Sequence, residues 1–87
     1  MKYKKENYLK TAHFVVMHVL LDNPGIQSRE VSDKCDYSRE YARSILTDLV
    51  KKELVKKKHN KFYMYFLTKE GFRVIDVHNK YVQNDTN

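Results

Sequence analysis

A break in the helical pattern at residues 36–37 constrains this chain more than any other feature of its sequence. Before the break, Ser28 is a favourable N-cap for a short helix over residues 28–35. After the break, Ser38 caps a second helix over residues 38–53, in which apolar side chains follow the 3.6-residue period. The sequence therefore predicts two helices that meet at a tight turn.

A longer helix is predicted ahead of this pair. Apolar residues recur at three- and four-residue steps over residues 7–22, which is typical of a mostly buried helix. This helix ends in residues 22–25, where a proline fixes one φ angle and the following glycine permits a positive one. Residues 26–27 are too few for more than a single β-bridge, and residues 1–6 form a basic arm.

A hairpin and a last helix are predicted after the pair. Residues 54–67 have the pattern of two strands around a cationic tip, and the second strand is rich in residues that favour β-structure. Thr68 caps a helix predicted over residues 68–82, and residues 83–87 form a polar tail. The prediction is one domain over residues 1–87, mainly α with a small β-hairpin, in the order α-(β)-α-α-β-β-α. This order is that of a winged helix-turn-helix.

The charge balance indicates a polyanionic partner. Seventeen Lys and Arg against eleven Asp and Glu give a net charge of +6, and positive charge at this density attracts nucleic acid or an anionic membrane. No apolar run approaches the ~20 residues that span a bilayer, and the N-terminus does not have the pattern of a signal peptide. We therefore expect a soluble, cytoplasmic protein with nucleic acid as its partner. The single cysteine, Cys35, fits a reducing compartment.

The helix over residues 38–53 has a polar face that the fold itself does not need. B-DNA's major groove is about 12 Å wide and accepts one helix, whose first turns meet the base edges. Arginine recognises guanine and glutamate accepts from cytosine, so Arg39 and Arg43 are the leading base readers. The alternative is a solvated helix face. The predicted base-contacting residues are Arg39, Glu40, Tyr41, Arg43, Ser44 and Thr47.

Residues 51–61 contain six lysines and a single acidic residue, Glu53. Phosphate contacts would neutralise these charges and would make binding strongly dependent on salt. The predicted phosphate-contacting residues are Ser28, Ser38, Lys51, Lys56, Lys57, Lys58, His59, Asn60 and Lys61.

Residues 31–57 resemble, without a gap, the helix-turn-helix and first wing strand of MarR-like winged-helix repressors. Residues 66–71 are similar to the Leu-Thr-x-x-Gly junction between strand and helix in the same superfamily. The resemblance departs at Asp36 and at Glu53, where glycine is common; aspartate tolerates left-handed φ, whereas glutamate is less favourable at a helix C-terminus. It implies that residues 57–61 form the wing, and that Arg39, Glu40, Tyr41, Arg43 and Ser44 face DNA. It implies a core of Val31, Cys35, Tyr37, Ala42, Leu46, Leu49 and Leu54.

The last predicted helix is more apolar than one intramolecular face requires. A small core also favours a second subunit, so we expect a homodimer whose recognition helices lie about 34 Å apart on a pseudopalindromic site. The alternative is that this helix packs on the first helix of its own chain. The predicted interface consists of Val74, Ile75, Val77, His78, Tyr81 and Val82.

Other functional patterns are weaker. His13 and His18 are five residues apart and the remaining two histidines are distant, so no metal site is predicted. Cys35 fits a small buried side chain better than a redox switch, and the alternating Tyr63 and Tyr65 fit a packed sheet face better than a platform for single-stranded bases. We expect no enzyme activity and no cofactor, because no catalytic motif is present. The extra terminal helices that give larger family members a ligand pocket are not recognised, so no small-molecule effector is predicted.

These observations predict a homodimeric, sequence-specific, double-stranded DNA-binding transcription regulator, and a repressor in particular. Two alternatives remain open at this point: a winged-helix module that binds another protein, and a non-specific architectural DNA-binding protein.

Overall fold

The computed structural model describes residues 9–85, with side chains through residue 80. The predicted basic arm at residues 1–6 lies outside this range. The predicted fold class is confirmed: four helices and one two-stranded antiparallel hairpin form a winged-helix arrangement. The elements are α1 Thr11–Asp22, α2 Ser28–Cys35, α3 Arg39–Lys51, β1 Val55–His59, β2 Tyr63–Leu67 and α4 Lys69–Asp85.

The first helix lies at the centre of the molecule, in contact with α2, α3, α4 and β2. Met17 and Leu20 of α1 are almost fully buried, as are Leu46 and Leu49 of α3. Each such side chain contributes about 1.5–3 kcal/mol by leaving water. The core therefore holds the inner face of α3 against α1 and leaves its outer face exposed.

Three helix ends and one cap differ from the sequence prediction. Ser28, predicted as the N-cap of α2, is its first helical residue, and Gln27 occupies the cap position, where its backbone N–H donates to the Glu30 side chain. α1 begins at Thr11 rather than at residue 7, because the backbone N–H of Lys10 donates to the His13 ring at 2.9 Å. α4 continues to Asp85 through residues predicted as a tail. α3 ends at Lys51 rather than at residue 53, because the backbone of Glu53 is not helical.

Glu53 adopts a left-handed conformation, with φ of 63°. The N–H of Leu54 then donates back to the carbonyl of Leu49 at 3.0 Å, and the N–H of Glu53 donates to Val50. This is the pairing with which a helix ends at a glycine, although the residue here is a glutamate. α3 therefore ends with the backbone geometry that the family resemblance implies, although glutamate stands in place of the glycine that usually permits it.

Asp36, the other departure from the resemblance, is also left-handed, with φ of 59°. The buried Ser32 stabilises this turn: its hydroxyl donates to the Tyr37 carbonyl at 2.6 Å, and its own carbonyl accepts from the Tyr37 N–H at 3.1 Å. The turn between α2 and α3 is thereby fixed on both sides of Asp36. Aspartate tolerates this conformation better than most residues do.

The hairpin is attached to the helical body at its base. Ile26 forms the predicted single bridge, to Tyr65 of β2. In the hairpin, Val55 pairs with Leu67 and His59 pairs with Tyr63. Val55, Tyr65 and Leu67 are buried, whereas β1 is exposed from residue 56 onward. The inner half of the hairpin belongs to the core, and its outer half projects from the body.

The junction between β2 and α4 ties the last helix to the end of α3. The Thr68 hydroxyl accepts from the Gly71 N–H at 3.1 Å and donates to the Glu53 carbonyl at 2.8 Å. A Cβ at Gly71 would collide with the carbonyl oxygen of Leu54. The Leu-Thr-x-x-Gly sequence is thus explained by one cap and one close backbone approach.

Candidate nucleic-acid interface

The outer face of α3 is polar and fully accessible. Ala42, Ile45, Leu46 and Leu49 point into the core. The residues predicted to contact bases are all exposed; they are Arg39, Glu40, Tyr41, Arg43, Ser44 and Thr47. Glu40, Arg43, Ser44 and Thr47 border one shallow depression together with Asp48 and Lys51.

The first turn of α3 is held by local hydrogen bonds. The Ser38 hydroxyl accepts from the Tyr41 N–H at 3.1 Å, which is the N-cap predicted from sequence. The Ser44 hydroxyl donates to the Tyr41 carbonyl at 2.9 Å, so one of its hydrogen bonds is already made. The Tyr41 ring lies edge-on to Tyr37 with 5.1 Å between centroids. These contacts orient the start of the helix without covering its outer face.

Arg39 and Arg43 remain available to a ligand. Among the ion pairs of the described residues, none includes either arginine. Arg43 lies near β2: burial raises the pKa of the Tyr65 hydroxyl, and the positive charge of Arg43 partly opposes that rise. A guanidinium with five donors and no carboxylate partner is suited to base edges or phosphates.

A cluster of three side chains, His13, Asp48 and Lys52, joins α1 to α3 at the edge of this face. The Nε2 atom of His13 lies 2.7 Å from Asp48 Oδ2, and the same oxygen accepts from Lys52 Nζ at 2.8 Å. Because His13 Nδ1 accepts from the backbone of Lys10, its proton resides on Nε2, which donates to Asp48. The cluster fixes the rotation of α3 about its axis.

The environment of Asp48 favours its charged form. Partial burial raises the pKa of the carboxyl group, but the hydrogen bonds from Lys52 and His13 outweigh that effect and hold the pKa below its ordinary value. Sequence reasoning did not predict the contact between His13 and Asp48, since 35 residues separate the two. It also counted Lys52 with the lysines that oppose Glu53, whereas Lys52 points inward to Asp48.

The projecting half of the hairpin is polar and rich in lysine. Lys56, Lys57, Lys58, His59, Asn60 and Lys61 are all exposed. Lys57 Nζ lies 4.6 Å from the centroid of the Tyr63 ring, which also packs against His59 at 4.5 Å. Of the other predicted phosphate contacts, Ser38 and Lys51 are exposed at opposite ends of α3, and Ser28 is half-buried at the start of α2.

The structure assigns much of the apolar face of α4 to contacts within the chain. Ile75 is a buried core residue, and the His78 ring stacks on Phe14 of α1 with centroids 3.9 Å apart. Val74 is half-buried against the core, whereas Val77 is 50% exposed. The side chains of Tyr81 and Val82, also predicted at a dimer interface, lie outside the described residues. Among the predicted interface residues whose side chains the structure describes, Val77 is therefore the most accessible.

Other features of the described residues do not form a second site. No three His, Cys, Asp or Glu side chains between residues 9 and 80 are close enough together to hold a metal ion. Cys35 packs partly against the core, and burial raises the pKa of its thiol. In the part of the chain that the structure describes, no helix combines the length and apolarity that crossing a membrane requires.

No protein-family profile and no protein of curated function matches the chain. The fold, in contrast, matches solved transcription regulators. A MarR family protein from Bacillus stearothermophilus superposes with a TM-score of 0.83 at 21% identity, over 92% of this chain and 59% of that protein. FabT of Streptococcus pneumoniae, solved in complex with DNA, gives 0.81 at 14% identity, over 95% and 61%.

The PcaV regulator of Streptomyces coelicolor, solved with its natural ligand, gives a TM-score of 0.74 at 22% identity, over 78% of this chain and 51% of PcaV. This chain thus spans between about half and three-fifths of the length of these neighbours. At such identities the likeness establishes the fold. The chain has the same winged-helix fold as these solved transcription regulators, and this is the fold that the sequence resemblance predicted.

Proposed function

We propose that this chain is a sequence-specific, double-stranded DNA-binding regulator of transcription. One observation carries the proposal: two arginines that pair with no carboxylate among the described residues lie on the exposed face of α3, and a lysine-rich hairpin follows that helix. A helix that bears free arginines fits the major groove, and a nearby row of lysines fits the phosphate backbone.

In this proposal the outer face of α3 reads bases. Arg39 and Arg43 each donate two hydrogen bonds to guanine, and Glu40 accepts from cytosine. Each such pair discriminates against the wrong base by about 1–3 kcal/mol. Tyr41, Ser44 and Thr47 supply the remaining contacts to base edges or to the thymine methyl group.

The phosphate contacts come from the ends of helices and from the hairpin. Each neutralised phosphate steepens the dependence of log affinity on log salt by about 0.9, so the hairpin alone confers a strong salt dependence. The residues assigned to phosphates are Ser28, Ser38, Lys51, Lys56, Lys57, Lys58, His59, Asn60 and Lys61. FabT, which has the same fold, was solved in complex with DNA, and this supports DNA as the partner.

We further propose that the protein is a homodimeric repressor. The exposed Val77 and the half-buried Val74 are three residues apart on α4 and therefore share one face, to which a second copy would add an apolar partner. An isologous pair would set two copies of α3 about 34 Å apart, on an inverted repeat. A dimer bound at a promoter excludes polymerase, so repression is the expected effect.

Selection from a randomised duplex library at two salt concentrations tests the proposal. We expect enrichment of an inverted repeat with half-sites one helical turn apart, and binding that weakens steeply with salt. The double variant Arg39→Ala/Arg43→Ala should lose the enrichment but keep its fold. Arg73→Ala is the matched control, because it removes an arginine from an exposed ion pair with Glu70 on α4.

Three outcomes would contradict the proposal in different ways. Salt-sensitive binding without enrichment would indicate an architectural protein. Absence of binding at either salt concentration would leave the protein-binding module as the function. Equal loss of enrichment in the Arg73→Ala control would show that α3 is not the element that recognises the base sequence.

A further inference from the structure

The hairpin ends in an aromatic side chain that the fold does not bury. Phe62 is 58% exposed, the largest exposed fraction among the large apolar side chains that the structure describes. It lies in the turn between β1 and β2, where the N–H of Asn60 donates to the Phe62 carbonyl at 3.2 Å. Glycine, asparagine, aspartate, proline and serine dominate such turns. Turn geometry therefore does not explain a phenylalanine at this position.

The adjacent aromatic residue, Tyr63, has a different role. Its ring is packed by His59 on the paired strand and by the ammonium group of Lys57. No comparable ring or cation contact involves Phe62 among the described side chains. Tyr63 thus stiffens the tip from within, whereas the Phe62 ring is left for a contact outside the chain.

The position of Phe62 indicates what that contact is. It lies three residues beyond Tyr65, the last buried side chain at this end of β2, so it projects about 10 Å from the body at 3.4 Å per residue. Residues 54–67 include no acidic side chain, and Lys58 and Lys61 lie near the turn in sequence. An apolar side chain at the tip of a lysine-rich hairpin matches a duplex, in which phosphates lie outside and stacked bases lie inside.

We propose that Phe62 enters the minor groove next to the major groove that α3 occupies, and that its ring wedges between two base pairs. This inference deepens the proposed function and rests on it. The minor groove is about 6 Å wide, and two paired strands already lie ~4.8 Å apart before their side chains are counted. Only a side chain from the turn fits, and Phe62 is the apolar one there.

Wedging gives the hairpin a role in specificity. Apolar side chains that enter a base step unstack it and kink the duplex by about 20–90°. Pyrimidine–purine steps unstack most readily. The wing therefore selects a TA or CA step at a fixed distance from the sequence that α3 reads, without a hydrogen bond to any base.

The experiment compares four proteins in parallel selections from one randomised duplex library: the wild type, Phe62→Ala, Phe62→Leu and Lys61→Ala. Duplexes recovered with the wild type are then labelled at both ends, and their bending is measured by energy transfer. We expect the wild type to bend its duplex and to enrich a pyrimidine–purine step beside each half-site. Phe62→Ala should bind about tenfold more weakly, leave the duplex straight and lose the step preference.

The other two variants are controls for packing and for charge. Phe62→Leu retains an apolar wedge and should keep the bend. Lys61→Ala removes a cation from the same turn; it should lower the salt slope by about 0.9 and should also keep the bend. If Phe62→Ala bends DNA as the wild type does, or if Lys61→Ala loses the bend equally, the wedge is wrong and DNA binding stands. If the wild type binds no duplex, the wedge and the proposed function fall together.

Discussion

His13 and Asp48 are hydrogen-bonded at 2.7 Å, and this contact joins the central helix of the fold to the helix proposed to read DNA. His13 is only 4% exposed, so its Nε2–H is a buried donor whose hydrogen-bond partner is Asp48. Lys52 shares the same carboxylate oxygen. One acidic side chain thus supports the orientation of α3 that the apolar core sets.

Replacement of Asp48 by alanine should destabilise the protein by about 1–3 kcal/mol, the cost of an unsatisfied buried donor. Urea unfolding measures this loss, and the affinity for a selected duplex should fall as well because α3 is less well oriented. Asp76→Ala is the matched control: Asp76 pairs with Lys80 on the surface at 3.5 Å, and exposed pairs contribute only about 0–1 kcal/mol. Equal losses in both variants would show that the cluster has no special role.

The stability that Asp48 supplies should depend on pH in one direction. Its pKa in the folded protein is below the ordinary value of 3.8, so the unfolded chain takes up the proton first as the pH falls. The stabilisation is fully present above the unfolded pKa and is lost as the pH falls through the lower, folded pKa. Urea unfolding of the wild type and of Asp48→Asn at a series of pH values should give a difference that is present at about pH 5 and shrinks below about pH 4. A difference that grows towards acid would contradict the lowered pKa. His13 and Lys52 are the groups that hydrogen-bond to Asp48, and they are present in both the wild type and Asp48→Asn.

Replacement of Glu53 by glycine should stabilise the protein by about 1 kcal/mol, because the left-handed conformation strains a residue that has a Cβ. It also removes a negative charge near the C-terminus of α3, where cations are favoured. Glu53→Gln separates the two effects, since it removes the charge and keeps the strain. Thermal and urea unfolding of the three proteins would reveal the contribution of each, and a destabilised Glu53→Gly would mean that φ at this position is not positive in solution.

Replacement of Gly71 by alanine should destabilise the protein by about 1–3 kcal/mol, because the added Cβ meets the backbone carbonyl of Leu54 and not a flexible side chain. Lys69→Ala, an exposed change in the same turn of α4, serves as the control and should alter stability by no more than about 0.5 kcal/mol. Unfolding midpoints in urea report both. Unchanged stability in Gly71→Ala would show that α4 starts farther from the end of α3 than the structure places it.

The order of elements was predictable because it is determined by local patterns. The break at residues 36–37, the caps at Ser38 and Thr68 and the alternation along the hairpin each act over a few residues. The exposure of the polar face of α3 also follows from helical periodicity alone. The predicted helix ends were less accurate where a residue adopts a backbone conformation that its type rarely adopts. Glu53 is the example: its positive φ ends α3 two residues earlier than predicted.

Composition and periodicity by themselves thus determined that this chain forms a basic winged helix with an exposed polar helix, because charge and hydrophobic pattern are properties of neighbouring residues. The tertiary structure alone decided which side chains meet across the fold. In the folded chain, His13 pairs with Asp48, and Lys52 is largely buried beside the same carboxylate. His78 packs on Phe14, and Phe62 is exposed at the end of the hairpin. Those outcomes depend on how closely distant segments approach one another in space, and a one-dimensional pattern does not contain that distance.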